Sequence, residues 1–76
     1  MKNQNKDIAY NNKLRNKVRL LINEYGVKQS FICSHIEEHK GSFNGWVKGA
    51  RDYDNSRLYK LNKMIETKYG SLINNV

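Results

Sequence analysis

The apolar residues of this chain recur at intervals of three and four. Leu14, Val18, Leu21, Ile22 and Tyr25 fall at i, i+4, i+7, i+8 and i+11, one face of a helix, while Lys13, Arg15, Lys17 and Arg19 take the other faces. This spacing predicts a helix that starts near Asn11 or Asn12, either of which can cap it. It ends at Gly26, since glycine accepts the left-handed backbone that closes a helix. A second helical segment over residues 28–36 turns Ile32, Cys33 and Ile36 inward, with Phe31 at the margin and Val27 packing just ahead. Residues 37–41 carry no apolar side chain and read as a turn. Phe43, Trp46 and Val47, at i, i+3 and i+4, predict a short third helix closed by Gly49. After a polar loop, with Asp54, Asn55 or Ser56 as cap, a last helix carries Leu58, Leu61, Ile65 and Tyr69 and is expected to stop at Gly70. Leu72 and Ile73 add one further turn.

No segment has the alternation of a convincing strand, so the expected fold class is all-α: a compact four- to five-helix bundle joined by short loops. Residues 1–10, rich in Asn and Lys and without periodicity, read as a flexible basic N-terminal arm that includes Lys2 and Lys6. Residues 11–76 read as one domain. A chain of 76 residues buries only about 60% of its unfolded surface, which leaves a lean core and no room for a large catalytic cleft. No apolar run approaches the roughly 18 residues of a membrane span. A basic N-terminus without an apolar signal core, and the single Cys33, point to a cytoplasmic chain. Fourteen Lys and Arg against seven Asp and Glu give a net charge of +7, a field that attracts polyanions, nucleic acid foremost.

Enzyme chemistry finds little support. His35-Ile36-Glu37-Glu38-His39 fits the H-x-x-E-H pattern of inverted zinc proteases, but those enzymes need both histidines on one continuous helix, a third ligand and a cleft. Cys33 is expected to face inward and His35 outward, which separates them as ligands. No Ser-His-Asp set, phosphate-cradling glycine loop or carboxylate pair is present, and Glu37-Glu38 reads as a solvated turn. Neither an enzyme, a metal nor a cofactor is expected. Trp46, by its spacing with Phe43 and Val47, is expected in the core and not as a stacking platform for bases.

One constellation remains. Gly26-Val27-Lys28-Gln29-Ser30-Phe31-Ile32-Cys33-Ser34-His35-Ile36, followed by Ser42-Phe43-Asn44-Gly45-Trp46-Val47-Lys48-Gly49, resembles the helix-turn-helix of the Cro and phage lambda repressor family. The resemblance extends over about residues 12–70. It implies that the helix around residues 40–48 enters the major groove of duplex DNA, with Lys40, Ser42 and Asn44 at base edges. Gly41 and Gly45 then let the backbone come close. It further implies phosphate contacts from Lys28, Gln29, Lys48, Arg51, Tyr53 and Asn55. Glu37 and Glu38 stand where the family has Gly and then an apolar residue. Glutamate takes a left-handed backbone poorly, so a longer or differently shaped turn is expected, with the second helix running on into it.

The resemblance implies a sequence-specific regulator of transcription, a repressor of phage or mobile-element type, acting in the cytoplasm at the nucleoid. Its partners would be double-stranded DNA and a second copy of itself, joined through Leu72, Ile73 and Val76 or only on DNA. The alternative is a helix-turn-helix protein that binds and inhibits a protein partner, in the manner of an anti-CRISPR or antitoxin-like factor. Glu37 and Glu38, which repel phosphate, favour it.

Overall fold

The computed structural model of the chain describes residues 7–73, which form four helices and no strand: α1 (Ile8–Glu24), α2 (Gln29–His35), α3 (Lys40–Lys48) and α4 (Asn55–Ile73). The expected arm therefore overlaps α1 at residues 8–10, and its remainder, with Lys2 and Lys6, lies outside the described residues together with Val76. α1 begins one turn earlier than its apolar spacing suggests. Its cap is Asp7, whose Oδ1 accepts from the Tyr10 amide at 3.0 Å, and Asn11 lies inside the helix, fully buried.

Leu14, Val18 and Leu21 fill the core side of α1, but Tyr25 is 40% exposed because the helix has ended beneath it. The chain turns at Gly26 (φ +68°), and the Val27 amide returns to the Leu21 carbonyl at 3.0 Å. Ile32 and Cys33 of α2, with Ile36 just beyond it, are buried, as are Phe43 and Trp46 of α3 and Leu58, Leu61 and Ile65 of α4. Gly49 closes α3 in the left-handed conformation (φ +89°). Of the three candidate caps for α4, Asp54 takes the role: its Oδ1 accepts from the Arg57 amide at 3.0 Å. α4 does not stop at Gly70. A helical glycine costs about 1 kcal/mol but ends a helix only by leaving helical geometry, and the buried Gly70 keeps it through to Ile73.

The connection between α2 and α3 also departs from the expectation. α2 ends at His35, and Glu37 itself takes the left-handed backbone (φ +59°), so the turn stays short. The cost is local strain of about 1–2 kcal/mol relative to a right-handed residue.

α1 packs against both α3 and α4, and α2 against α3. Trp46 sits at the centre, stacked on Phe43 (centroids 5.6 Å apart) and on Tyr53 (5.3 Å, rings 6° from parallel). Two polar side chains of α1 hold this group in place. Asn11 uses its full hydrogen-bonding capacity. Its Oδ1 accepts from Trp46 Nε1 (2.8 Å) and the Tyr53 amide (2.9 Å), and its Nδ2 donates to the carbonyls of Asp7 (2.8 Å) and Tyr53 (3.1 Å). Arg15, 5% exposed, donates to the carbonyls of Trp46 (2.6 Å) and Arg51 (2.9 Å), to Asn12 Oδ1 (2.7 Å) and to Asp52 Oδ1 (2.8 Å). Its guanidinium lies 5.1 Å from the Trp46 ring centroid.

Candidate nucleic-acid interface

α3 is short, and its sequence Lys40-Gly41-Ser42-Phe43-Asn44-Gly45-Trp46-Val47-Lys48 contains no acid. At 100° per residue, Phe43, Trp46 and Val47 share the inner face, which leaves Gly41 and Gly45 at the outermost positions. Asn44 and Lys48 flank this glycine track on one side and Ser42 on the other. Lys40 stands exposed at the first turn. The ends of the helix are held from within. At its start His39 Nδ1 accepts from the Gly41 amide at 3.2 Å. At its end Arg15 binds the Trp46 carbonyl, and Arg19 Nε donates to the Val47 carbonyl at 3.0 Å. Both cations meet the negative end of the helix dipole.

The two glycines have no internal justification. A Cβ on Gly41 would meet only His39 ring atoms, at 3.6 Å or more, and one on Gly45 would meet the flexible Arg51 side chain, at 3.4 Å or more. Neither has a positive φ. The fold accepts alanine at both places, yet the chain carries glycine: Gly41 leaves its backbone exposed, and Gly45, half-buried, lies beneath the movable Arg51 side chain.

The expected base-edge and phosphate residues divide into two groups. On one side Gln29 Nε2 donates to Asn44 Oδ1 at 3.2 Å, and both line a recess of about 430 Å³ with Lys48, Val47, Ile22, Arg19 and Asn23. On the other side Arg51 Nη1 donates to Ser42 Oγ at 3.2 Å. Lys28 is exposed at the cap position of α2, and Asn55 is exposed at the first position of α4. Neither lines the two recesses beside α3.

Tyr53 is a different case. It is 4% exposed and stacked on Trp46, so its first role is in the core. It also borders a polar recess of about 220 Å³, together with Ser42, Arg51 and Arg57 and the carboxylates of Glu38, Asp52 and Asp54. Its hydroxyl has no hydrogen-bond partner. Burial pushes the phenol above its ordinary value; the Ser42 hydroxyl, near but outside bonding geometry, lowers it in part.

Arg19 and Asn23 belong to the recess although their place in α1 singles out neither. Arg19 reaches across 28 positions of sequence to Val47, and no local pattern announces that. Glu38 borders the same recess as Ser42 and Arg51, but its carboxylate is paired: it meets Arg57 Nε at 2.9 Å, with its side chain 15% exposed, and Arg57 also pairs with Asp54 at 3.1 Å. Only Glu37 of the acidic pair stays exposed. His35 is exposed, with Nδ1 2.9 Å from the Phe31 carbonyl oxygen. Among the described residues no three His, Cys, Asp or Glu side chains gather as a metal site, and no helix is long and apolar enough to cross a membrane.

The chain matches no protein-family model, and neither the curated proteins nor the solved structures include a significant match to it.

Proposed function

We propose that α2 and α3 form a helix-turn-helix, and that the protein is a sequence-specific binder of double-stranded DNA and a regulator of transcription of the phage or mobile-element repressor kind. The observation that carries this reading is the outer face of α3: a glycine track the fold does not require, on a helix without carboxylates, edged by amide, hydroxyl and cationic groups, with Glu38, Asp52 and Asp54 bordering the Ser42–Arg51 side alone. A helix of this kind sits in the major groove with its first residues at base edges. Lys40 is suited to guanine O6 and N7, Asn44 to adenine N6 and N7, and Ser42 to several edges. Gln29, Lys48 and Arg51 beside that helix, with Lys28 and Asn55 at the starts of α2 and α4, are the phosphate-binding groups of this reading, and Arg19, which lines the same recess as Gln29 and Lys48, joins them. The pairing of Glu38 with Arg57, which Arg57 shares with Asp54, lessens the electrostatic objection raised by the acidic turn.

A single module of this size buries about 600–1,000 Å² on DNA, so two copies on adjoining half-sites are the economical arrangement. Leu72, 43% exposed near the end of α4, is available for such a contact.

The test is selection of duplexes from a genomic-fragment pool, followed by comparison of two variants on the enriched site and on single-base changes of it. Asn44→Ala is expected to relax the preference at one position. Arg51→Ala is expected to weaken binding alike on all sequences. Identical behaviour of the two would refute the division into reading and positioning residues, and no enrichment at low salt would refute the DNA reading itself.

A further inference from the structure

α4 has a second ordered face. Leu58, Leu61 and Ile65 are fully buried, while Tyr59, Lys60, Lys63, Thr67 and Lys68 are exposed along the same helix, with Met64 half-buried between them and the core. These side chains line a groove of about 510 Å³. Tyr59 is 63% exposed. Lys63 Nζ lies 6.0 Å from the centroid of the Tyr59 ring, and Lys60 Nζ donates to the Ile36 carbonyl at 3.4 Å. No carboxylate lines the groove. The one acid of α4, Glu66, sits 3.4 Å from Lys17 of α1.

We propose that this groove docks an acidic amphipathic helix of a partner protein, its carboxylates meeting Lys60, Lys63 and Lys68 and its apolar side chains resting on Tyr59 and Met64. Charge complementarity selects this occupant. A second copy of the chain does not fit. A two-fold contact would set the lysine row against itself, and four of the seven acids, Glu38, Asp52, Asp54 and Glu66, are already engaged in ion pairs. Nucleic acid fits less well too, because Lys63 lies over the Tyr59 ring on which a base would stack, and Met64 offers nothing to phosphate. Residues 59–68 extend about 14 Å at 1.5 Å per residue, enough for two to three turns of a partner helix. The groove shares no residue with the outer face of α3, so the proposal stands whether or not α3 binds DNA.

The test is a nuclear magnetic resonance titration of the full chain with a helical peptide of roughly 15 residues, leucines on one face and glutamates beside them. Its counterpart carries lysines for the glutamates. The acidic peptide alone is expected to shift the Tyr59, Met64 and Thr67 signals. Tyr59→Ala is expected to weaken it about tenfold, as for an aromatic anchor. Lys60→Glu, Lys63→Glu and Lys68→Glu combined are expected to reverse the preference between the two peptides. Tyr59, Lys63 and Lys68 face solvent and Lys60 gives up one 3.4 Å bond to the Ile36 carbonyl, so melting of the variants close to that of the parent chain verifies the fold. Equal binding of both peptides, no shift with either, or shifts on another face would overturn the proposal. So would self-association abolished by Tyr59→Ala, or displacement of the acidic peptide by a single-stranded oligonucleotide.

Discussion

Replacing Asn11 by alanine isolates the joint between α1 and the rest of the molecule. The amide side chain satisfies four partners, of which the Asp7 carbonyl also accepts from the Asn11 backbone amide and stays satisfied. Trp46 Nε1, the Tyr53 amide and the Tyr53 carbonyl have no other described partner. Each buried group left unpaired costs about 1–3 kcal/mol. The three together, with water entering the small void, are expected to cost about 3–5 kcal/mol. A domain of this size is stable by only about 4–11 kcal/mol, so Asn11→Ala should remove a large share of it. The melting temperature should fall by roughly 12–40 °C at about 4–8 °C per kcal/mol. Urea unfolding followed by tryptophan fluorescence measures the loss directly, since Trp46 is the only tryptophan. Asn12→Ala, one residue along and exposed, loses a single bond to Arg15 and should cost about 1 kcal/mol. A loss below about 1 kcal/mol for Asn11→Ala would refute the assignment of Asn11 as the hub.

Three further outcomes follow from local geometry. Glu37→Gly should stabilise the fold by about 0.5–1 kcal/mol by relieving a left-handed glutamate, read as a higher urea midpoint; destabilisation would mean that the Glu37 side chain carries an interaction of its own. Gly41→Ala and Gly45→Ala should each stabilise by about 0.5–1 kcal/mol while weakening binding to a selected duplex; stabilisation without weakening would sink the close-approach argument. Tyr53→Phe removes a buried hydroxyl without a partner and should leave stability unchanged or raise it by up to about 1 kcal/mol. In the parent chain the folded state holds the Tyr53 proton more tightly than the unfolded state, so its contribution to stability is complete below the ordinary phenol range and lost as pH rises through the raised folded value. Phenolate absorbance should therefore show one of the five tyrosines ionising last, and Tyr53→Phe should abolish that late step.

The parts of the fold readable from sequence are those with local causes. Apolar spacing located the inner faces of all four helices, and Gly26 and Gly49 marked their turns because a left-handed closing residue is a local requirement. Gly70 misled because the same residue type also survives inside a helix. Asn11 looked like a cap candidate and Arg15 like a residue of the outer faces; the partners that fix them in the core lie 31–42 residues away, beyond any periodic signal. The candidate site was legible in the same measure. Lys40, Ser42, Asn44 and Lys48 follow from their places on α3. The Ser42–Arg51 and Gln29–Asn44 bonds, the burial of Tyr53 and the arrival of Arg19 depend on how α1, α2 and the loop before α4 pack around it.

Contact between the proposed α3 face, with its surrounding cations, and duplex DNA is read most directly from the salt dependence of binding to a selected duplex. With Arg19, Lys28, Lys48 and Arg51 each neutralising one phosphate, a plot of log K against log salt should be linear with a slope of about −3 to −4 per copy bound. Arg51→Ala should reduce that slope by about one. A slope near zero, or one unchanged by Arg51→Ala, would contradict phosphate contact by this face.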